Sequence, residues 1–177
     1  VTTEAAAFTN HVYLLVDTQF ERIELGGGPM SFGCAWGDFN NDGYPDLFVA
    51  EGSWASTGAN SLYRNNQDGT LAKVTPDEAG DIVRWVRNWQ FAAWGDYDND
   101  GQLDLMVSDN NDNPKPALWR NLGNGRLEDA TSAGSFPQDR LGGTPIWGDF
   151  NRDGFLDLAV ANAWDEPPTW AEWSRNL

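Results

Sequence analysis

The chain is poor in the residues on which most site chemistry depends. Among 177 residues there is one cysteine, Cys34, and one histidine, His11. An intramolecular disulfide framework is therefore excluded, and little is left for zinc sites, Ser-His-Asp triads or Cys-His pairs. Basic residues are scarce too: 11 Lys and Arg against 27 Asp and Glu give a formal charge of −16. A surface that neutralises nucleic-acid phosphates needs the opposite balance, so nucleic acid is not the expected partner. No apolar run approaches the length of a membrane helix, so no transmembrane segment is expected, and VTTEAAAFTN at the N-terminus lacks the basic and apolar regions of a signal peptide. A first residue other than Met is expected of a processed or partial chain, which leaves room for an export signal ahead of residue 1.

Aromatic and apolar residues are plentiful. Hydrophobic residues make up 40% and aromatics 13%, with ten Trp, a composition that folds rather than forming an acidic disordered tail. The length suits one domain or a few small repeated units. Three near-copies decide for the second: CAWGDFNNDGYPDLFVA at 34–50, AAWGDYDNDGQLDLMVS at 92–108 and PIWGDFNRDGFLDLAVA at 145–161. Their first Asp residues fall at 38, 96 and 149. These intervals exceed those of helical solenoids and approach the size of a four-stranded propeller blade with its loops.

A weaker repeat follows each copy: SLYRNNQDGTLAKVT from Ser61, ALWRNLGNGRLEDAT from Ala117 and a truncated EWSRNL from Glu172. Each acidic loop lies between a Trp and a run such as LFVA or LMV, which predicts a hairpin, and the downstream pieces with turns such as NNQDGT predict a second one. Four short strands per unit follow. HVYLLVDTQFERIEL from His11 resembles the downstream hairpin without an acidic loop before it. The predicted division is therefore 1–30, an N-terminal segment with partial blade strands; 31–88, repeat 1; 89–141, repeat 2; and 142–177, a truncated repeat 3. Thr75-Pro76-Asp77-Glu78 carries the one helix signal, an N-cap, a Pro at the first helical position and a Glu three residues after the cap.

Within each loop, oxygen-bearing side chains stand at positions 1, 3, 5 and 9 with Gly at 6. They are Asp38, Asn40, Asp42 and Asp46; Asp96, Asp98, Asp100 and Asp104; and Asp149, Asn151, Asp153 and Asp157. Position 7 is Tyr44, Gln102 or Phe155, variation expected of a residue that offers a metal only its backbone carbonyl. Such a set suits Ca²⁺, which takes six to eight oxygens, better than Mg²⁺, and three Ca²⁺ sites are expected. An EF-hand would close with Glu at position 12, but Val49, Val107 and Val160 stand there, so position 9 must close the site within β-structure. Asp, Asn and Gly are also ordinary turn residues. A merely solvated turn, however, does not require three or four mutually repelling carboxylates, three times over.

WGDYDNDGQLDL followed by LYRNNQDGTLAKVT resembles the FG-GAP/VCBS-type repeat of integrin-α-like β-propellers, over nearly the whole chain. The resemblance implies an all-β chain of three four-stranded antiparallel propeller-type blades, with Ca²⁺ in the first hairpin loop of each. Proteins of this type are extracellular, periplasmic or surface-bound. Three blades do not close a ring, since propellers have about four to eight. The chain is then an incomplete ring, as a fragment or subunit; or two copies complete a six-bladed ring; or it is an open arc covered by a protein partner.

Other residues read more plainly. Trp36, Trp94 and Trp147 precede each loop and read as blade core. Trp54, Trp85, Trp89, Trp164, Trp170 and Trp173 lie outside that register, where Trp packs a core, stacks on sugars or anchors an interface. Cys34 aligns with Ala92 and Pro145 and reads as a buried, inert thiol. Arg64, Arg120 and Arg175 are expected to pair with loop carboxylates or strand carbonyls of their own unit. Gly26-Gly27-Gly28 is neither a P-loop nor a dinucleotide fingerprint. The expected function is a non-enzymatic, calcium-binding interaction or structural subunit outside the cytoplasm. A propeller-type lectin that binds a glycan is the alternative, and a glycoside hydrolase ranks last because the clustered acids are already accounted for by metal.

Overall fold

Each acidic loop is the turn of a β-hairpin, and all three hairpins are in the same register. The computed structural model describes residues 11–16, 19–25, 31–52, 58–109, 116–132, 142–161 and 172–174. The N-terminal hairpin pairs β1 (His11–Val16) with β2 (Gln19–Glu24) as a sheet of its own. The first loop joins β3 (Ser31–Gly37) to β4 (Asp46–Glu51), with Gly37 opposite Asp46. After the two-residue strand β5 (Gly58–Ala59), β6 (Ser61–Asn65) and β7 (Leu71–Lys73) complete a sheet in the order β3-β4-β6-β7.

A short helix α1 (Pro76–Ala79) follows, with the Glu78 carboxylate accepting from both the backbone N–H and the hydroxyl of Thr75 at 2.9 and 2.7 Å. One 3-10 turn, Asp81–Val83, leads to β8 (Val86–Arg87), which pairs with β5.

The second unit repeats the plan with β9 (Phe91–Gly95), β10 (Asp104–Ser108), β11 (Ala117–Asn121) and β12 (Leu127–Asp129), Gly95 opposite Asp104. In the third, β13 (Pro145–Gly148), β14 (Asp157–Val160) and β15 (Glu172–Ser174) form a sheet with Gly148 opposite Asp157. The described residues thus give two four-stranded sheets and one three-stranded sheet, where four strands were predicted in each unit.

The sheets stack face to face. Strand β4 is buried along its whole length because its two faces pack against different neighbours. Phe48 and Ala50 join Leu62, Leu105, Val107, Trp119 and Trp89 in the core between the first two sheets. Met106 and Leu118 meet Leu158 and Val160 between the second and third. Strands buried on both faces read as continuous apolar runs rather than alternating ones, which is why LFVA and LMV show no period of two. Each fully buried Leu, Val or Phe contributes roughly 1.5–3 kcal/mol. On the far face of the first sheet, Leu47, Val49 and Tyr63 pack with Leu25 and Leu71. Strand β9 packs between β3 and β13, and no ring is closed among the described residues.

Two sequence expectations are corrected here. Trp94 and Trp147 are half-buried between sheets, but Trp36 is 45% exposed rather than core, because no further sheet lies against β3 on that side among the described residues. Cys34 is exposed for the same reason, although partial burial pushes its thiol pKa up and so disfavours the reactive thiolate. Trp89 is fully buried and Trp85 packs edge-on against Trp119 at 5.0 Å, so both belong to the core. Trp54, Trp164, Trp170, Arg175 and the Gly26–Gly28 run lie outside the described residues, and Trp173 is placed only as a residue of β15.

Candidate metal sites

The three loops share one backbone path. Position 4 is left-handed in each, with φ of 55° at Asn41, 57° at Asn99 and 62° at Arg152, and Gly43, Gly101 and Gly154 at position 6 have φ of 88°, 85° and 90°. A side chain at position 6 would be strained, which explains the constant Gly. This path turns backbone N–H groups inward onto the position 1 carboxylate. Asp38 accepts from the N–H groups of Asp42 and Gly43 at 3.0 and 2.8 Å, Asp96 from Asp100 and Gly101 at 3.0 Å each, and Asp149 from Asp153 and Gly154 at 3.1 and 3.0 Å. Position 9 is fixed as firmly. Buried Asp46 accepts from the N–H groups of Phe39 and Asn65, and buried Asp104 from those of Tyr97 and Asn121. Asp157 accepts from Phe150 N–H at 2.9 Å, while its other oxygen is buried without a partner.

Positions 3 and 5 separate the loops into two kinds. Where position 3 is Asn, its amide donates to the position 5 carboxylate: Asn40 to Asp42 at 3.1 Å and Asn151 to Asp153 at 2.9 Å. In the second loop position 3 is Asp98, which has no N–H to give. Arg120 reaches in from β11 instead, with Nε 2.8 Å from Asp98 and Nη2 3.0 Å from Asp100. The other Asp98 oxygen is buried without a hydrogen-bond partner, and ligand oxygens of Asp96, Asp98 and Asp104 lie within 4.8 Å of one another. Desolvation, with added repulsion from Asp98 and Asp100, pushes the Asp104 pKa up to about 7. Asp46 is pushed up to about 6 by desolvation, with added repulsion from Asp42 and Asp38. A cation at either loop would relieve these costs, and the all-oxygen donor set is the kind that hard cations take.

Arg120 pairs with loop carboxylates as predicted, whereas Arg64 meets Glu78 of α1 at 3.6 Å. Links between units were not anticipated. The position 4 amide of one loop donates to the position 6 carbonyl of the next, Asn41 to Gly101 at 3.0 Å and Asn99 to Gly154 at 2.9 Å. Asn41 also donates to the side chain of Gln102 at 2.9 Å, so position 7 serves the neighbouring unit through more than its backbone. Asn121 ties β11 back to Phe39 O at 2.7 Å. A cleft of about 370 Å³ lies where the first two units meet, lined in part by Asn40, Arg64, Asp77, Glu78, Asn124 and Arg126. The left-handed position of Asn41 and Asn99 was the available signal for these links, since Asn is one of the few side chains that adopts it readily.

Two stretches of the chain, residues 38–107 and 96–160, match the model of the FG-GAP-like repeat. Each match starts on the first Asp of a loop and ends in the outgoing strand of the next hairpin, β10 or β14. Among curated proteins, none matches the chain. No helix among the described residues is long and apolar enough to cross a membrane.

Proposed function

Because the chain belongs to the FG-GAP-like repeat family, we propose that it is a calcium-binding, β-propeller-type repeat module that serves as a protein-interaction or structural subunit in an extracellular or periplasmic setting. The division at 1–30, 31–88, 89–141 and 142–177 is part of this proposal. The ligands are Asp38, Asn40, Asp42 and Asp46 with the Tyr44 carbonyl; Asp96, Asp98, Asp100 and Asp104 with the Gln102 carbonyl; and Asp149, Asn151, Asp153 and Asp157 with the Phe155 carbonyl. The observation that carries the reading is the second loop, where three carboxylates converge within 4.8 Å and one oxygen of Asp98 is buried without a partner. At free Ca²⁺ a hundredfold above Kd, each site would add about 2.7 kcal/mol to stability. No reaction is assigned, since the two carboxylates with strongly raised pKa values, Asp46 and Asp104, are both loop members.

Terbium luminescence tests the reading, because Tb³⁺ takes the same oxygen donors as Ca²⁺ and is sensitised by nearby indoles. Titration should give Trp-sensitised emission that Ca²⁺ quenches and that Asp96→Asn/Asp104→Asn reduces by about one site of three. Emission unaffected by those substitutions would contradict it.

The lectin reading is kept alive by the polar cleft between the first two units, whose side chains offer amides, guanidinia and carboxylates to a sugar's hydroxyls. It draws nothing from Trp85 or Trp89, which are committed to the core. Glycan-array binding abolished by Asn124→Ala would favour it, and an array without a hit would remove it.

A further inference from the structure

The contact between units is a lock that the chain builds twice, and both of its halves recur, unmatched among the described residues, on β3 and β13. In the first instance the Trp94 ring lies against Gly37 so closely that a Cβ there would stand 2.5 Å from it, and Trp94 Nε1 donates to Ala35 O at 3.2 Å. The second repeats it, with Trp147 on Gly95 at 2.6 Å and its Nε1 donating to Ala93 O at 3.2 Å. Phe39 stacks on Trp94 beside the first lock, and the Asn41 and Asn99 amides link the loops across each boundary.

The receiving half stands open on β13. A Cβ on Gly148 would meet nothing within 4 Å among the described residues, whereas its counterparts Gly37 and Gly95 are each covered by an indole. Ile146, the counterpart of Ala35, is 63% exposed. The inserting half stands open on β3 among the described residues, where Trp36, at 45% exposure, takes the register of Trp94 and Trp147, with the exposed Cys34 on the same side. The outer part of that face is already covered, since Leu25 packs on Leu47, Val49 and Tyr63, so the open strip is confined to the inner strand. Arg152 holds the position 4 conformation at φ 62° in place of Asn, and the groups in register for it are the Gly43 carbonyl and the 42% exposed Tyr44 ring. A guanidinium over Tyr is a favourable pairing, and a position 4 cation beside an acidic loop adds charge complementarity.

We propose that β3 of one copy of this chain docks head to tail on β13 of a second copy, Trp36 seating on Gly148. The proposal rests on the reading of the chain as stacked propeller-type units. The occupant is a second copy because one chain carries both halves, each in the register of a contact the chain already makes. A heterologous contact of this kind closes into a ring when the rotation permits. Two copies supply six units, within the four to eight that propellers use.

Native mass spectrometry and sedimentation of the full chain in Ca²⁺ test this. The wild type should be a dimer. Gly148→Val puts its Cβ where nothing lies within 4 Å among the described residues beyond its chain neighbours and should leave a folded monomer with unchanged metal content; Trp36→Ala should do the same. Each should weaken self-association by about thirtyfold or more, the scale of a buried interfacial Trp. Mixing the two variants should restore a dimer through the one intact contact, a result a face-to-face dimer would not give. A wild-type monomer carrying three Ca²⁺ would overturn the docking and leave the metal reading standing. A dimer indifferent to both substitutions would also overturn it. Dissociation by both variants in a metal-free protein would support the docking and remove the calcium.

Discussion

Asp104 carries the electrostatic cost of its loop. Its pKa near 7 and that of Asp46 near 6 lie above the ordinary carboxylate value, so the folded chain holds protons that the unfolded chain releases. That contribution to metal-free stability is complete below the unfolded pKa, about 4, and is lost as pH rises through 6 and then 7. Calcium needs the ionised form and therefore reverses the trend. We expect calorimetric Tm in chelator to fall between pH 5 and 8 and in Ca²⁺ to hold or rise, with Asp104→Asn flattening the chelator curve at its upper end. A chelator curve as steep in Asp104→Asn as in the wild type would contradict this.

Arg120 gives a second prediction, because it neutralises Asp98 and Asp100 in the way a cation would. Arg120→Gln removes two half-exposed ion pairs worth about 0.2–1 kcal/mol each, so metal-free stability should fall slightly while calorimetric titration shows tighter Ca²⁺ binding at that loop. Weaker binding would mean that Arg120 holds Asp98 in place rather than competing for it. The recurrence of the loops was legible because each repeats oxygen-bearing residues and Gly at the same spacing. The exposure of Trp36 and Cys34 was not, because register identifies equivalent residues but not what lies against them.

At the scale of the strands, glycines that end β3 and β9 decide how closely the units approach. An Ala at Gly37 or Gly95 would put a methyl within 2.6 Å of an indole ring. Overpacking of this kind costs about 1–3 kcal/mol. In the Trp36→Ala background, where no indole is available to seat on it, Gly148→Ala should change stability by less than about 0.5 kcal/mol, whereas Gly37→Ala and Gly95→Ala should keep their cost. Urea denaturation of the three variants checks this, and equal losses at all three would contradict the lock. The hairpins were legible from Asn, Asp and Gly turns between apolar runs, and α1 from its capping residues. Strands β5 and β8, two residues each and with no pattern of their own, were not. Nor was the service of Gln102 to Asn41, because variation at position 7 within the chain suggested a side chain without a role.

For the whole molecule, the repeat gave the number of acidic loops directly, while the mutual placement of the units depends on indole-to-glycine contacts between residues more than fifty positions apart. Ten of the 27 acidic residues lie in the three loops, so three Ca²⁺ would take the formal charge from −16 to −10 and relieve self-repulsion where it is densest. Calcium should therefore raise Tm substantially and Mg²⁺ much less, as differential scanning fluorimetry would show. The most direct test of the account is the calcium stoichiometry of the purified chain by isothermal titration calorimetry. It predicts three equivalents, falling to two in Asp96→Asn/Asp104→Asn; no binding, or a stoichiometry unchanged by those substitutions, would contradict it.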